Sequence, residues 1–168
     1  MALSVRALVQ LAADLTSAQD LTTASAPLSV GRQVTLTDGA GLNQANRIWS
    51  DQRTLAASAS EDIDLAGTLT DPFGATITLA RVKALIVSAT VGNVNNVVLG
   101  GAASNGWVGP FGADTHTLAV RPGGVLALLA PDATGYAVTA STADLLHVAN
   151  SGAGSGVTYQ IVVVGAAS

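Results

Sequence analysis

Turn residues interrupt this sequence at short intervals, and this pattern limits the possible folds more than any other feature. The segments between the turns are short runs rich in Val, Ile, Leu and Thr. From about residue 60 onward, no stretch of helical length has apolar residues at the i, i+3, i+4 spacing of an amphipathic helix. The pattern predicts an all-β protein, an antiparallel β-sandwich similar to a jelly roll. The turns are Asp38-Gly39, Asp71–Gly74, Gly100-Gly101, Gly109-Pro110, Pro122–Gly124, Pro131-Asp132 and Ser151–Gly156.

Alternation of apolar residues predicts individual strands. The clearest is Val157–Val164, which becomes apolar on both faces at its end and is therefore expected to be central or covered by a partner. In Ile77–Val87 the apolar parity changes, which predicts a β-bulge near Ala80–Arg81 and places Arg81 and Lys83 on the outer face. The turn Arg121–Gly124 is expected to close a hairpin.

The first fifty-six residues are harder to interpret. Leu8, Leu11 and Leu15 fit a helix, but the alternation that begins at Val5 fits a strand equally well, and a strand is favoured. A second strand is expected near Leu28–Leu36, followed by a loop or arm at Thr37–Asn46 that could reach a neighbouring subunit. The predicted organisation is therefore an N-terminal region of strands or arm, 1–56, packed on or exchanged with a β-sandwich domain, 57–168.

The composition favours burial of the surface in an assembly. Apolar residues make up 49% of the chain, but charged residues reach only 11%, against roughly 25% in an average soluble domain. Ala, Gly, Ser, Thr and Asn must therefore cover much of the surface. Such a surface loses little hydration or side-chain freedom when it is covered. An extracellular protein with a bland Ser/Thr surface is the alternative.

Several classes of partner are disfavoured. The net charge is −4 and the seven Lys and Arg residues are scattered, so no cationic patch is available for direct nucleic-acid binding. The chain has no cysteine, which excludes disulfides and thiolate metal sites. The N-terminal segment Met1–Leu15 is too short and too polar for a signal peptide or a membrane span. The chain is therefore expected to act without secretion or membrane insertion.

No catalytic, cofactor or metal site is predicted. The histidines are His116 and His147, and neither belongs to a recognisable catalytic motif. Asp62 and Asp64 could share a hard cation such as Ca²⁺, but the glycine turn and distal Glu of an EF-hand are missing. The loop Gly152–Gly156 joins two β-runs, so no helix N-terminus is available there for a phosphate. The protein is expected not to be an enzyme.

The few aromatic residues suggest a contact surface. Trp49, Trp107 and Phe111 are candidate interface anchors, and Arg47 and Arg53 are further candidate interface residues. The Gly-rich loop that contains Trp107 and Phe111 is the main candidate. Core packing is an equal alternative for these residues, and a sugar-binding platform that includes Tyr136 is a third.

The order of several elements resembles a family of small structural proteins in the virions of tailed bacteriophages. The resemblance covers about residues 40–168. It rests on Gly41–Asp51, Arg53–Leu69, Leu79–Lys83, Asn95–Ala102, Val120–Gly124 and Ala130–Val138.

Within that family, the size and β content resemble a head decoration, or cement, protein. The resemblance implies a homotrimer on the capsid surface that is made in the host cytoplasm and bridges major capsid subunits. It implies neither catalysis nor a cofactor. A tail, baseplate or fibre component is the alternative within the virion, and a carbohydrate-binding β-sandwich module is the alternative outside this class.

Overall fold

The computed structural model describes residues 2–167. Within this range the chain forms eleven strands and no helix, which confirms the all-β prediction. The N-terminal segment is also extended, so the helical alternative for it is wrong. The strands are β1 (Val5–Ala18), β2 (Thr23–Leu36), β3 (Arg47–Leu55), β4 (Ser60–Asp64), β5 (Arg81–Ala89), β6 (Val97–Gly100), β7 (Thr117–Val120), β8 (Val125–Leu129), β9 (Tyr136–Ala137), β10 (Leu145–Asn150) and β11 (Val157–Ala166).

Two antiparallel sheets form the body of the molecule. One has the strand order β4-β10-β6-β7, and the other has the order β3-β11-β5-β8 with β9 also paired to β5. The inner faces of both sheets contribute to a single apolar core, which makes the body a β-sandwich. Strands β1 and β2 form a separate two-stranded sheet.

The alternation of side chains along each strand fills this core. In β11, Val157, Tyr159 and Ile161 are almost completely buried, and in β10 Leu146 and Val148 are buried from the opposite sheet. Burying a side chain of this size contributes about 1.5–3 kcal/mol. The core consists largely of aliphatic residues, because the chain contains few aromatic ones.

The predicted β-bulge is present, but it lies at Lys83 rather than at Ala80–Arg81. Val164 of β11 is opposite Ala84, whereas the next residue, Gly165, is opposite Val82, so Lys83 is the extra residue. A Cβ at residue 165 would clash with the Arg81 carbonyl oxygen, so the close approach requires glycine. Lys83 is completely buried against loop carbonyls, so it is not the solvent-facing residue that a place on the outer face predicted.

The turn at Arg121–Gly124 does not close a hairpin, because its two flanking strands belong to different sheets. Strand β7 pairs with β6, whereas β8 pairs with β5. The local turn is tight, since the Gly124 amide donates to the Arg121 carbonyl at 2.7 Å. The same residues that could form a hairpin therefore carry the chain from one layer of the sandwich to the other.

Strand β3 belongs to the body and not to an N-terminal unit. It pairs with β11 along its whole length, from Arg47 opposite Gly165 to Leu55 opposite Val157. Residues 47–55 are thus an edge strand of the larger sheet, although the sequence grouped them with 1–46. The segment that extends from the body is shorter and ends at Leu36.

Candidate interaction surface

The most distinctive surface of the protein is the hairpin formed by β1 and β2, which we call the arm (Val5–Leu36). Each strand has fourteen residues, and every residue of one is paired with a residue of the other. The turn closes with a hydrogen bond from the Gln19 amide to the Thr22 carbonyl at 2.8 Å. At about 3.4 Å per residue the arm is about 45 Å long.

The arm is amphipathic, since residues directly opposite each other in an antiparallel pair share a face. One face is almost entirely apolar and the other is mainly polar. The apolar face consists of Val5, Ala7, Val9, Leu11, Ala13, Leu15 and Ser17 of β1, with Leu36, Val34, Arg32, Val30, Leu28, Ala26 and Ala24 of β2. The polar face carries contacts such as the hydrogen bond from the Ser25 hydroxyl to an Asp14 carboxylate oxygen at 2.7 Å.

The root of the arm packs on the outer face of the five-stranded sheet. Leu36 is buried in a second apolar cluster with Ala45, Ala84 and Val164. This contact explains why the end of β11 is apolar on both faces, because the inner face meets the core and the outer face meets the chain's own arm. The half-buried residues around this cluster are Leu3, Val5, Val34, Ile48, Leu129 and Val162.

Two cations of β5 hold the loops beside the arm root. The Lys83 ammonium donates to the carbonyls of Asp132 and Gly41, and the second of these contacts is 3.3 Å long. The Arg81 guanidinium donates to the carbonyls of Ala40 and Ala133 at 3.3 and 2.9 Å. Residues 40–41, which follow the arm, are thereby fastened to the loop at 132–133.

Groups around Lys83 shift its pKa in opposite directions. Burial lowers the pKa of Lys83, the nearby Asp132 carboxylate works against that shift, and Arg81 adds to it. The pKa of Asp132 is also lowered, first by a hydrogen bond from the Thr134 hydroxyl and then by the Gly135 amide. These groups form a fixed structural joint at the base of the arm.

The outer part of the arm extends beyond the body, and only its first residues, Val9 and Gln10, line a hollow together with body residues such as Ile86 and Ala127. From residue 8 to residue 33 every position is exposed. Leu11, Leu15, Leu28 and Val30 are 58, 77, 55 and 54% exposed. We call Val9, Leu11, Ala13, Leu15, Ala26, Leu28 and Val30 the distal apolar face.

A free arm of this kind is unusual for two physical reasons. A two-stranded hairpin alone is only marginally stable in water, because it buries little apolar surface. Contiguous exposed apolar patches of several hundred Å² on soluble proteins generally mark interaction sites. The distal apolar face is therefore the best candidate for a functional surface.

The aromatic residues proposed as interface anchors lie elsewhere and are mostly internal. Trp49 is 8% exposed and Trp107 is 2% exposed. The Trp107 indole donates to the Ala137 carbonyl at 2.9 Å and packs edge-on against Phe111 and Tyr136. Core packing is thus the structural role of the two tryptophans, and neither offers a surface to a partner in this conformation.

The two arginines of that prediction have partners within the chain. Arg47 donates to the Asn46 carbonyl at 2.8 Å. Arg53 lies over the Trp49 ring at 5.7 Å, and its Nε is 3.1 Å from a Glu61 carboxylate oxygen. Glu61 also accepts a hydrogen bond from the Tyr159 hydroxyl at 2.8 Å. The structure therefore brings Trp49 and Arg53 together at the sandwich edge, apart from the arm.

The polar side chains considered for chemistry are dispersed. His147 on β10 contacts a carboxylate oxygen of Asp62 on β4 at 2.6 Å, while His116 contacts the Phe111 carbonyl at 2.9 Å. Asp64 accepts from the Ala66 amide instead of sharing a site with Asp62. Across residues 2–167, no group of three or more His, Asp or Glu side chains is placed to hold a metal ion. Nor does this part of the chain contain a helix that could cross a membrane.

Comparison with known proteins identified no matching family model, no matching curated protein and no matching solved structure.

Sequence reasoning recognised strands in the arm but did not identify its distal face. The signal was present in both strands. Apolar residues occupy the odd positions from Val5 to Leu15, and most even positions from Ala24 to Leu36. What the sequence did not show is that these two sets face the same side, since that depends on the register of the hairpin.

Proposed function

We propose that this protein is a structural component of a bacteriophage virion that decorates the capsid and stabilises it by bridging major capsid subunits. The observation that supports this role best is the arm, which presents an uncovered apolar face on a long, regular hairpin. In the single chain this face remains exposed to water, and an arm of this length could join the sandwich to neighbouring subunits. The location on the capsid follows from the sequence resemblance to small virion proteins.

The surface of the body is compatible with this role. Gln52, Thr54, Thr158 and Gln160 lie on the outer face of the larger sheet and satisfy each other, with Thr54 and Thr158 hydroxyls 2.9 Å apart. These small or neutral side chains lose less on desolvation than a charged surface would. This face of the body can thus lie against a shell without burying these side chains unpaired.

Stabilisation by such a protein would work through linkage. A protein that binds the expanded shell and not its precursor shifts the equilibrium toward the expanded state. Binding at a free concentration one hundred times the Kd contributes about 2.7 kcal/mol per site. Repeated over many equivalent sites, this contribution would resist the internal pressure of packaged DNA.

The proposal is tested by measuring the mass of the purified chain by light scattering, with and without expanded capsids that lack it. We expect a trimer that binds these shells in fixed stoichiometry. A monomer, or an oligomer that does not bind capsids, would contradict capsid decoration and favour a tail component instead.

A carbohydrate-binding role is not supported by the position of the aromatic residues. It requires at least two aromatic rings exposed on one face. Trp107 is buried, and Tyr136 is half-buried against it at 6.1 Å between ring centroids. The planar platform needed to stack a sugar ring is therefore not present at these residues.

A further inference from the structure

We propose that the distal apolar face of the arm packs against the same face of the arms of other copies of this chain, so that the arms form a shared β-bundle. The proposal rests on the arm being the binding element of the proposed function, but it requires no capsid. It names the partner of the arm as a second copy and the contact as arm to arm.

The chemistry of the distal apolar face suits contact with itself. Its seven side chains are all Ala, Val or Leu. The one charged group on that side of the arm, Arg32, lies at the end nearest the body, opposite Val9. Two copies of the distal face can therefore meet without burying a carboxylate and without placing a cation at the centre of the contact.

The relief of this face also favours interdigitation. Across the hairpin, Ala13 is opposite Leu28, and Leu15 is opposite Ala26. Large and small side chains thus alternate between the two strands and leave hollows beside the leucines. Sheets that pack face to face, about 10 Å apart, fill such hollows with side chains from the other sheet.

The same apolar face already forms a packed contact nearer the body. Leu36 and Val34 at the arm root pack on Ala84, Val164 and their neighbours. The distal face is a direct continuation of that contact along the same side of the ribbon. Its residues have the composition of a buried surface over their whole length, but the chain covers only the first two or three pairs.

A neighbouring body is a poorer match for the distal face than a neighbouring arm. Much of the outer face of the larger sheet is polar, and the amides of Gln52 and Gln160 would lose water under an apolar cover. Ile86, Val125 and Ala127 form an apolar strip beside β1 and are the strongest competing acceptor on the body.

The size of the contact predicts how tightly the arms associate. Its seven residue pairs, from Val9 to Leu15, at 3.4 Å each on a ribbon about 10 Å wide give roughly 240 Å² per arm. Specific protein interfaces bury about 800 Å² per partner. A single pair of arms should therefore associate in a concentration-dependent way, and three arms around one axis would bury more in total.

The absence of cysteine from the chain allows a direct test with single-cysteine variants. Ala13→Cys places a thiol on the distal apolar face, and the matched control Ala12→Cys places one on the polar face of the same strand. Both sites are exposed, so neither substitution creates a cavity. The purified chain, without capsids, is treated with a short bis-maleimide over a range of protein concentrations.

We expect Ala13→Cys to cross-link into dimers at least tenfold faster than Ala12→Cys. Adding Leu28→Asp to Ala13→Cys should abolish the difference, and Leu28→Asp alone should lower the mass seen by light scattering. A thiol-accessibility assay in denaturant supplies the intrinsic reactivity of each site. Because no capsid is present, this result is independent of capsid binding.

Three outcomes would overturn the proposal. The first is equal cross-linking of the two variants, and the second is an oligomer whose mass Leu28→Asp leaves unchanged, which would place the contact between copies outside the arm. The third is cross-linking of Ala13→Cys to Ala127→Cys in a mixture while Ala13→Cys alone fails to cross-link. That last result would place the arm on the body of the neighbouring copy.

Discussion

The arm and the β-sandwich body use the same backbone pairing, but they bury very different fractions of their side chains. In β11 seven of the ten residues are buried, whereas in β1 none of the fourteen is. Both strands are fully paired with antiparallel neighbours along the chain. Regular hydrogen bonding is therefore common to both regions. They differ in the fraction of their side chains that is buried.

Because of this difference, the two regions contribute unequally to the stability of the fold. A buried core gives the body its stability, because burial of apolar side chains is the dominant favourable contribution to folding. The arm has almost none of that contribution beyond its root. The proposed contact between arms would supply the apolar burial that the hairpin lacks within one chain.

The largest expected effect comes from comparing one leucine in each region. Leu85→Ala, at a site that is fully buried in the body, should lower the free energy of unfolding by about 2–5 kcal/mol because it leaves a cavity. Leu11→Ala in the exposed arm should change it by less than about 0.5 kcal/mol. Denaturant titration followed by tryptophan fluorescence measures the body alone, since Trp49 and Trp107 both lie in it.

This comparison must be made at protein concentrations where the chain is a monomer. An equal loss of stability from the two substitutions would contradict the separation of the regions. It would mean that the arm folds as part of the cooperative unit of the body.

Much of the body could be predicted from the sequence, because side-chain alternation directly reports burial on one face of a strand. The strands β10 and β11 follow from this pattern. The sheet to which a strand belongs does not, since β7 and β8 have a turn typical of a hairpin but pair in different sheets. Long-range pairing depends on contacts that neither local propensity nor periodicity encodes.

The joint between body and arm contains a position, Lys83, whose environment could not be predicted from the sequence pattern. Lys83 follows the pattern of an outward-facing cation in a strand, and the parity change nearby predicts the bulge that is present. The bulge lies two or three residues further along the strand than the parity change indicates, and Lys83, its extra residue, is completely buried. Its ammonium then meets the carbonyls of Gly41 and Asp132, which are distant in the sequence.

A smaller effect is expected at the one phenol buried in the body. Burial raises the pKa of Tyr159, and the hydrogen bond to Glu61 raises it further, against an opposing contribution from Arg53. The folded state therefore holds the proton more tightly than the unfolded state, in which the pKa is about 10. Stability from this group is fully present below that pH and is lost as the pH rises above it.

The test is to compare the parent chain with Tyr159→Phe at several pH values. At pH 7 the substitution should cost about 1 kcal/mol, because Glu61 loses a donor. Above about pH 10 the parent should lose stability relative to the variant by up to about 1.4 kcal/mol per pH unit. Lys83 is common to both proteins, so its titration cancels, and parallel pH profiles would show that the phenol does not contribute.

The smallest expected effect on the body comes from removing the outer arm. Deleting Gln10–Gly31 and joining Val9 to Arg32 through a short Asn-Gly turn removes only exposed residues. The unfolding free energy of the body in the monomeric state should change by less than about 0.5 kcal/mol. By contrast, Leu36→Ala at the buried root should cost at least about 2 kcal/mol, because it opens the contact with Ala84 and Val164.

The same truncated variant should lose its concentration-dependent assembly completely, as measured by light scattering. A stable body combined with lost assembly would show that association depends on the arm and folding stability on the body, since one change then removes association without a cost in folding. If the truncation instead lowered the stability of the monomer by more than about 1 kcal/mol, the arm would be a structural part of the sandwich. Its apolar face would then need a partner within the same chain, and the contrast between arm and body would no longer hold.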